Sequence, residues 1–393
     1  MTQQINPNAP APAASPVSKR KRALAILAGV VVVSAIAWTA WYLLVARWHE
    51  DTDDAYVQGN VVSVTPQTQG TVVSIAADDG MKVTAGQVLV QLDPNDARVA
   101  YEQAEANLAN AVRQARGLYS TVEANQADIA ARRVAVQKAR EDVARRQGLV
   151  ATGAVAAEEL AHARDELASA EAALAASNEN LSRNRALVDA TTVQTQPQVA
   201  AAAAQLRAAY LNLQRMAIVA PVTGYVAKRT AQLGQRVQPG TTMLTVVPLE
   251  QVWVEANFKE TQLANMRIGQ PVELHSDLYG KKVRFDGHLV SLGLGTGSAF
   301  ALLPAQNASG NWIKIVQRVP VRISVDTAQL KDHPLRLGLS MHADVTIRDQ
   351  DGALLADAPP AKPLLTTDAY ARQLAEADAR IQKIVQANLG RHG

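Results

Sequence analysis

The side chains that most often carry out chemistry do not form a catalytic or metal-binding pattern in this chain. The seven histidines are scattered, without the H-E-x-x-H spacing that places two imidazoles around zinc, and no cysteine is present. Gly293, Gly295 and Gly297 lie too close together for a dinucleotide fingerprint, and the sequence has no phosphate-binding loop or nucleophile elbow. Composition alone leaves a scattered Ser/His/Asp triad open. We expect a protein that is not an enzyme and needs no metal or cofactor.

Composition narrows the class of partner. A net charge of +3 gives no reason to expect a polyanion, and an aromatic content of 4% is too low for a stacking surface on single-stranded nucleic acid. We therefore expect no nucleic-acid partner. The lack of cysteine suits an extracytoplasmic protein, and 393 residues allow two or three domains.

The N-terminal region predicts one membrane anchor. Residues 1–22 are rich in Pro, Ala and small polar residues, end in four consecutive basic residues, and are expected to form a disordered cytoplasmic tail. Residues 23–45 carry no charge and as a helix would span roughly 34 Å, enough to cross a bilayer. Because basic residues precede this run and acidic residues follow it, the positive-inside rule places the N-terminus in the cytoplasm and the chain after about residue 46 outside the cell membrane. A cleaved signal peptide is the alternative, but the run is long for one and no small-x-small site follows.

A diverged segment occurs twice and predicts a split β domain. Residues 64–94 align without a gap on residues 218–248, and the alignment matches three glycines and one proline. These pairs are Gly70 with Gly224, Gly80 with Gly234, Gly86 with Gly240, and Pro94 with Pro248. Glycines at fixed offsets between alternating apolar residues indicate short strands joined by positive-φ turns. We expect 54–94 and 217–249 to form one β domain, which requires the insert to leave and return.

The insert 95–216 predicts an antiparallel helical hairpin. Apolar residues recur every seven positions on each arm, as in a coiled coil. The outgoing row is Tyr101, Leu108, Ala115, Val122, Ile129, Val136, Val143 and Val150, and the returning row is Leu160, Leu167, Leu174, Leu181 and Val188. The chain should turn near 152–154. The row then restarts at Val199 with a four-residue stutter that contains Pro197, and Gly117 is a candidate weak point on the outgoing arm.

The remaining chain predicts a second β domain and a terminal helix. Alternating segments separated by glycine-containing turns in 250–350 suit a small closed barrel. Residues 351–393 are interpreted as an Ala/Pro linker followed by a polar helix near 368–388.

This arrangement resembles the membrane fusion proteins, or periplasmic adaptors, of bacterial export systems. The two half-motifs are similar to those of biotinyl/lipoyl carrier domains, although the helical insert occupies the place of the carrier lysine, and Lys82 aligns with Arg236 instead. Four segments carry a closer similarity to the EmrA-type branch, which serves major-facilitator drug pumps: 51–62, 144–164, 252–274 and 295–323. The implied fold is α+β and multidomain, with a transmembrane helix, a split lipoyl-like domain, a coiled-coil hairpin and a β-barrel.

The resemblance also implies partners and a docking site. Adaptors of this kind link an inner-membrane transporter, here a major-facilitator drug transporter, to a TolC-type outer-membrane channel, and several copies encircle the conduit. In the wider family the hairpin tip carries a motif similar to R-x3-L-x6-S. The resemblance implies that these residues dock on the channel. Arg145 and Leu149 match this motif, whereas Ala156 replaces the serine.

A long Gly/Ser/Asn-rich segment in the second β domain is a further candidate contact. It contains Phe300, Leu302, Leu303 and Trp312. These side chains either cover one end of the barrel or contact the transporter or a hydrophobic substrate.

Two other functions remain open at this point. The same scaffold could serve an ABC-type exporter of peptides or proteins, although such adaptors often carry larger hairpins or cytoplasmic extensions. A carrier subunit of a biotin- or lipoyl-dependent enzyme is the other alternative, and the missing lysine argues against it.

Overall fold

A computed structural model describes residues 17–297, 299–300, 316–356 and 363–390. The predicted disordered tail lies largely outside these residues, as does part of the predicted Ala/Pro linker. The chain divides into two compact units. One unit contains the residues up to Asn60 together with Pro248–Leu364, and the other contains Val61–Val247 together with the residues from Leu365 onward.

The described elements are six α-helices and fourteen strands, joined by short 3₁₀ turns. The helices are α1 (Val17–Leu44), α2 (Asn95–Ala151), α3 (Ala157–Ala186), α4 (Pro197–Gln214), α5 (Thr327–Asp332) and α6 (Arg372–Leu389). The strands are β1 (His49–Gly59), β2 (Val62–Val64), β3 (Gly70–Ile75), β4 (Lys82–Val83), β5 (Val88–Leu92), β6 (Ala217–Val219), β7 (Gly224–Arg229), β8 (Arg236–Val237), β9 (Leu244–Val247), β10 (Val252–Lys259), β11 (Pro271–Ser276), β12 (Arg284–Leu292), β13 (Arg318–Val325) and β14 (Ser340–Thr346).

Helix α1 contains the apolar run expected for the anchor. Its large apolar side chains are exposed, Trp38 by 65% and Ile36 by 64%. A helix that is apolar on every side and exposes its large side chains suits a lipid environment. Ala23–Trp48 is long and apolar enough to cross a membrane, and no other helix among the described residues meets that test. The rings of Trp38 and Tyr42 stack, with centroids 5.9 Å apart.

The first unit is built around a closed six-stranded barrel. The strand order is β1-β10-β13-β12-β11-β14, and every neighbouring pair is antiparallel. Alternate residues point inward, as the sequence pattern requires, so that Phe258, Leu274, Phe285 and Ile323 are fully buried in the core. Closure pairs each barrel strand on both of its edges.

The structure corrects one expected boundary. We expected the split β domain to begin at residue 54 and the barrel to lie within 250–350. Instead, β1 pairs with both β10 and β14 and closes the barrel, with Ala55 opposite Ala256 and Met341. Thr52, Ala55 and Val57 are the buried residues of this strand. The alternation of buried and exposed residues in β1 would suit either domain. The strand belongs to the barrel because the barrel closes only with this sixth strand.

The predicted repeat forms the β unit, which comprises β2 to β9. It consists of two four-stranded sheets, β2-β9-β7-β4 and β6-β5-β3-β8, and each contains strands from both halves of the repeat. Gly80, Gly86, Gly234 and Gly240 have φ values between 77° and 86°, as their spacing predicts. Gly70 has a different role, because a Cβ there would lie 3.1 Å from Leu92. The two half-motifs therefore share one core.

The insert forms the hairpin, with 57-residue α2 as the outgoing arm. The Asp93 carboxylate accepts a hydrogen bond from the Asn95 amide at its start. Leu108, Ala115, Val122, Ile129 and Val136 of the predicted row are buried. The returning arm is interrupted between Ala186 and Pro197, where the sequence predicts a stutter and a proline break.

Helix α6 packs against the hairpin and is less polar than expected. Its buried residues are Ala377, Ile381 and Val385, at spacings of four, which form one apolar stripe. Around this stripe, Arg207 Nη2 lies 2.5 Å from Asp378 Oδ1, and Tyr210 Oη donates to Glu376 at 2.9 Å. The C-terminal helix thus adds a third helix to the α2–α4 pair.

Removing the hairpin should leave a folded β unit. We expect residues 61–247 with Pro94 joined to Met216 by a short loop to melt cooperatively, since both sheets keep all their strands. Residues 61–94 alone should not, because their apolar face is buried by strands from the second half. Circular dichroism during thermal unfolding measures both. A cooperative melt of 61–94 alone would contradict the shared core.

Candidate functional site

The candidate site is the hairpin tip, defined here as residues 142–159. Helix α2 ends at Ala151, and Gly153 adopts a left-handed conformation with φ 75°. The Ala154 amide donates to the Leu149 carbonyl at 3.0 Å, and the Gly153 amide donates to the Val150 carbonyl at 3.1 Å. These two bonds form a Schellman motif, which ends the helix in a defined turn. The tip is therefore built on ordered backbone.

Arg145 is exposed on the last turns of α2, and its only ion pair among the described residues is local. Its side chain is 69% exposed, and Nη2 lies 2.7 Å from Asp142 Oδ1. The hydrogen bond from Arg145, aided by the nearby charge of Arg146, lowers the pKa of the Asp142 carboxyl. Asp142 thus stays charged below the usual carboxyl range, and the contact is lost as pH falls through the lowered pKa. An exposed pair of this kind exchanges easily for an intermolecular one.

Arg146, which the sequence analysis did not single out as a site residue, has a structural role instead. Its Nε lies 3.0 Å from Asp142 Oδ2, and its Nη1 donates to the Glu159 carbonyl at 3.2 Å on the facing helix α3. Arg146 therefore joins the two arms, while Arg145 remains directed at solvent. The spacing of Asp142 three residues before Arg145 was the sequence signal for the local pair.

Leu149 lies one turn after Arg145, so the two side chains share a face of α2. Its side chain is 41% exposed. Its carbonyl accepts hydrogen bonds from Ala154 and from the Thr152 hydroxyl, the latter at 2.9 Å. The backbone of Leu149 is fixed by the turn, and its apolar side chain is left exposed beside a cation.

Ala156 lies across the turn as the N-cap of α3. Its backbone is extended, with φ −66° and ψ 148°, and its carbonyl accepts from the Glu159 amide at 3.2 Å. The alanine side chain supplies no acceptor to the amides of the first turn. A serine here, with Glu159 three residues on, would complete a capping box. The position at which the motif of the wider family has a serine is therefore the N-cap of α3 in this chain.

The second candidate contact is described only in part. Phe300 is 74% exposed, and its ring lies against Gly295, where an added Cβ would approach within 2.7 Å. Leu302, Leu303 and Trp312 lie outside the described residues. Phe300 follows β12 in the chain, and β13 begins at Arg318.

The described residues contain no group of three or more His, Cys, Asp or Glu side chains arranged to hold a metal. Lys82 lies in β4 opposite Tyr225. Its Nζ lies 5.9 Å from the centroid of that ring. This is a strand position, whereas a carrier lysine occupies a turn.

An anchor helix, a β-barrel and a β unit split by a long helical hairpin together define the architecture of membrane fusion proteins. Comparison with known proteins identifies the branch. The family described as "EMRA, alpha-helical hairpin domain" matches residues 95–216, and that described as "AAEA-like beta-barrel domain" matches residues 251–347.

Individual relatives extend over nearly the whole chain. The "Multidrug export protein EmrA" of Haemophilus influenzae is 44% identical over 388 residues, which cover 99% of this chain and 100% of the relative. The protein of the same name from Escherichia coli K12 is 45% identical over 91% of each chain. A solved structure titled "Structure of the periplasmic adaptor protein EmrA" matches with a TM-score of 0.38 and 16% identity, over 76% of this chain and 98% of that one. The chain belongs to the EmrA family of membrane fusion proteins.

Restoring the hydroxyl at the tip should strengthen the start of α3. We expect Ala156→Ser to slow amide exchange at Glu158 and Glu159 about fivefold, because an N-cap side chain accepts from the amides of the first turn and contributes about 1 kcal/mol. Ala157→Ser is the matched control, since a hydroxyl one residue later lies inside the helix. Hydrogen exchange resolved by NMR or mass spectrometry measures both. Equal effects of the two variants would contradict the assignment of Ala156 as the N-cap.

Proposed function

We propose that this protein is the periplasmic adaptor of a tripartite multidrug efflux pump. It would link an inner-membrane major-facilitator drug transporter to a TolC-type outer-membrane channel. The observation that carries the proposal is the identity of 44% over essentially the full length of a relative named as a multidrug export protein. The geometry agrees with it, because α2 alone extends about 85 Å from the β unit and ends in an ordered, exposed tip.

Docking on the channel is assigned to the face of the tip that carries Arg145 and Leu149. An exposed leucine beside an arginine whose ion pair in the described part of the chain is local offers apolar area and a cation to a partner. A leucine and an arginine that become buried together in an interface contribute more to binding than a charge that stays exposed at its rim. Ala156 lies after the turn, at the start of α3, and its methyl side chain adds no polar contact.

The protein's role is structural, without catalysis and without a cofactor. Energy for export would come from the transporter, and several copies would form a ring around the conduit. Phe300, Leu302, Leu303 and Trp312 are proposed to contact the transporter or its substrate. The large exposed ring of Phe300 supports this, since exposed apolar surface is typical of a contact site.

The two tip residues provide the test of docking. We expect Arg145→Glu and Leu149→Asp each to abolish drug resistance in a deletion strain complemented with the variant. Charge reversal would repel the acceptors on the channel, and an aspartate would leave a charge buried without a partner. Protein level and helix content should not change, because both side chains are exposed.

Matched controls are available on the same helix. Arg133→Glu reverses another exposed arginine, and Val134→Asp replaces a valine that is 70% exposed, both well before the tip. These variants should retain resistance. Full resistance with both tip variants would mean that this face does not dock, and loss with the controls would mean that charge on α2 matters generally.

Orientation in the membrane is the other part of the proposal that can be tested directly. The N-terminus is proposed to be cytoplasmic and the chain after Trp48 periplasmic, on the basis of the basic residues before the helix and the acidic residues after it. Alkaline phosphatase, which is active only in the periplasm, should be active when fused after residue 50. An inactive fusion, or a mature N-terminus near residue 47, would contradict the anchor.

A further inference from the structure

The hairpin changes from three helices to two at one level. In the near section, which comprises α2 up to Arg116, α4 and α6, three helices surround one apolar core: Leu108, Val112, Ala115, Val199, Leu206, Ile381 and Val385. The third helix ends at this level. The Asn388 side chain accepts from Arg113 at 2.8 Å, and its carbonyl accepts from Arg116 at 3.4 Å. The next residue of α2 is Gly117.

The far section, which comprises α2 from Leu118 together with α3, is held by a thinner seam. Its buried residues on α2 are Val122, Ile129 and Val136, one in every seven. Between them lies a polar layer, in which the Ser177 hydroxyl donates to Asp128 at 2.8 Å and the buried Asn125 Nδ2 has no hydrogen-bond partner among the described residues. On α3 the buried residues are Leu160, Ala163 and Ser177. Because two helices replace three, we expect the far section to bend more easily than the near section.

The returning arm is broken at the same level. Residues 187–196 separate α3 from α4, and Ala190 has a φ of 56°, the only positive value for a non-glycine among the described residues. Left-handed backbone is unfavourable for alanine and stops a helix. The hydroxyl groups of Tyr119 and Thr191 lie 2.8 Å apart, which places the break beside the turn of α2 that follows Gly117.

The outgoing arm is continuous there but carries two features that weaken a helix. Gly117 has greater backbone freedom than any other residue type in a helix interior. The Thr121 hydroxyl donates to the Gly117 carbonyl at 2.9 Å, and such bonds to the residue four positions earlier bend helices. Both arms are therefore weakest at one level.

The break is nevertheless an ordered turn. Gln196 is 6% exposed, and its Nε2 donates to the Leu187 carbonyl at 2.9 Å. The Thr192 amide donates to the Thr195 hydroxyl at 2.8 Å. Because these polar groups are satisfied within the turn, the two sections can rotate about it without exposing an unpaired buried group.

We propose that the hairpin contains a pivot at Gly117 and residues 187–196, about which the far section swings against the braced near section. The lever from Gly117 to the tip is roughly 50 Å long, so a rotation of about 10° displaces the tip by roughly 9 Å. In the efflux role proposed above, on which this consequence rests, the pivot brings each tip to its channel contact while the β unit stays in place.

Because the chain has no cysteine, spin labels can be placed without removing native thiols. One pair, Ala375→Cys with Gln137→Cys, spans the pivot, and the reference pair, Ala375→Cys with Gln114→Cys, lies within the near section. All three positions are exposed. Double electron–electron resonance on the full chain in detergent then reports both distance distributions. We expect the distribution across the pivot to be at least twice as broad as the reference.

Two glycine substitutions test whether Gly117 causes the broad distance distribution across the pivot. An added Cβ meets no atom within 4 Å at Gly117 or at Gly148, so alanine fits at both, and each change raises helix propensity equally. Gly117→Ala should narrow the distribution across the pivot, whereas Gly148→Ala should leave it unchanged. A distribution as narrow as the reference, or no difference between the two variants, would overturn the pivot. The drug-resistance assays of the tip variants are independent of these distance measurements. If those assays contradicted docking at the tip, the measured motion about the pivot would still hold.

Discussion

The pairing of β5 with β6 is the constraint on which the second unit depends. Val90 lies opposite Ile218, and the Leu92 amide donates to the Met216 carbonyl at 2.8 Å, immediately before the outgoing helix and after the returning one. Neighbouring strands are about 4.8 Å apart, whereas the axes of packed helices are about 8–10 Å apart. Helices that leave and return at paired strands are therefore close enough to pack. The two arms therefore begin as contacting neighbours and must run antiparallel. Since each sheet contains strands from both halves, loosening the base of the hairpin also loosens the β core.

From this base the hairpin becomes progressively less stabilised toward its end. Near the β unit, large side chains such as Leu108 and Leu206 are fully buried, and each contributes about 1.5–3 kcal/mol by leaving water. Helix α6 adds a third apolar stripe. Beyond Gly117 the buried residues of the seam are Val122, Ile129 and Val136 on α2 and Leu160, Ala163 and Ser177 on α3. At the tip, order comes from backbone hydrogen bonds and from the arginine that joins the arms, so Arg145 and Leu149 can remain exposed on a defined turn.

Periodicity and repeats predicted most of the fold, because both depend on the chain alone. The buried heptad row on α2, the glycine turns of the β unit and the interruption near Pro197 follow from spacings that burial and backbone geometry impose. The assignment of β1 was wrong, since an alternating strand fits any sheet and its partners are distant in sequence. Helix α6 was expected to be polar because three buried positions among eighteen residues give a faint pattern. The candidate docking residues were identified from a motif, which does not show whether they are exposed. Asp142 contacts both Arg145 and Arg146, and only the fold shows that Arg146 reaches the facing helix while Arg145 stays exposed.

The measurement that tests the account most directly is photo-cross-linking from the tip in living cells. A photoreactive amino acid at Leu149 should give an adduct with the outer-membrane channel protein that mass spectrometry identifies, whereas the same residue at Val134 should not. Adducts with the channel from Leu149 alone are the predicted result. If Leu149 gave adducts only with other copies of this chain, or none at all, the claim that the hairpin carries an outer-membrane contact at its tip would be contradicted.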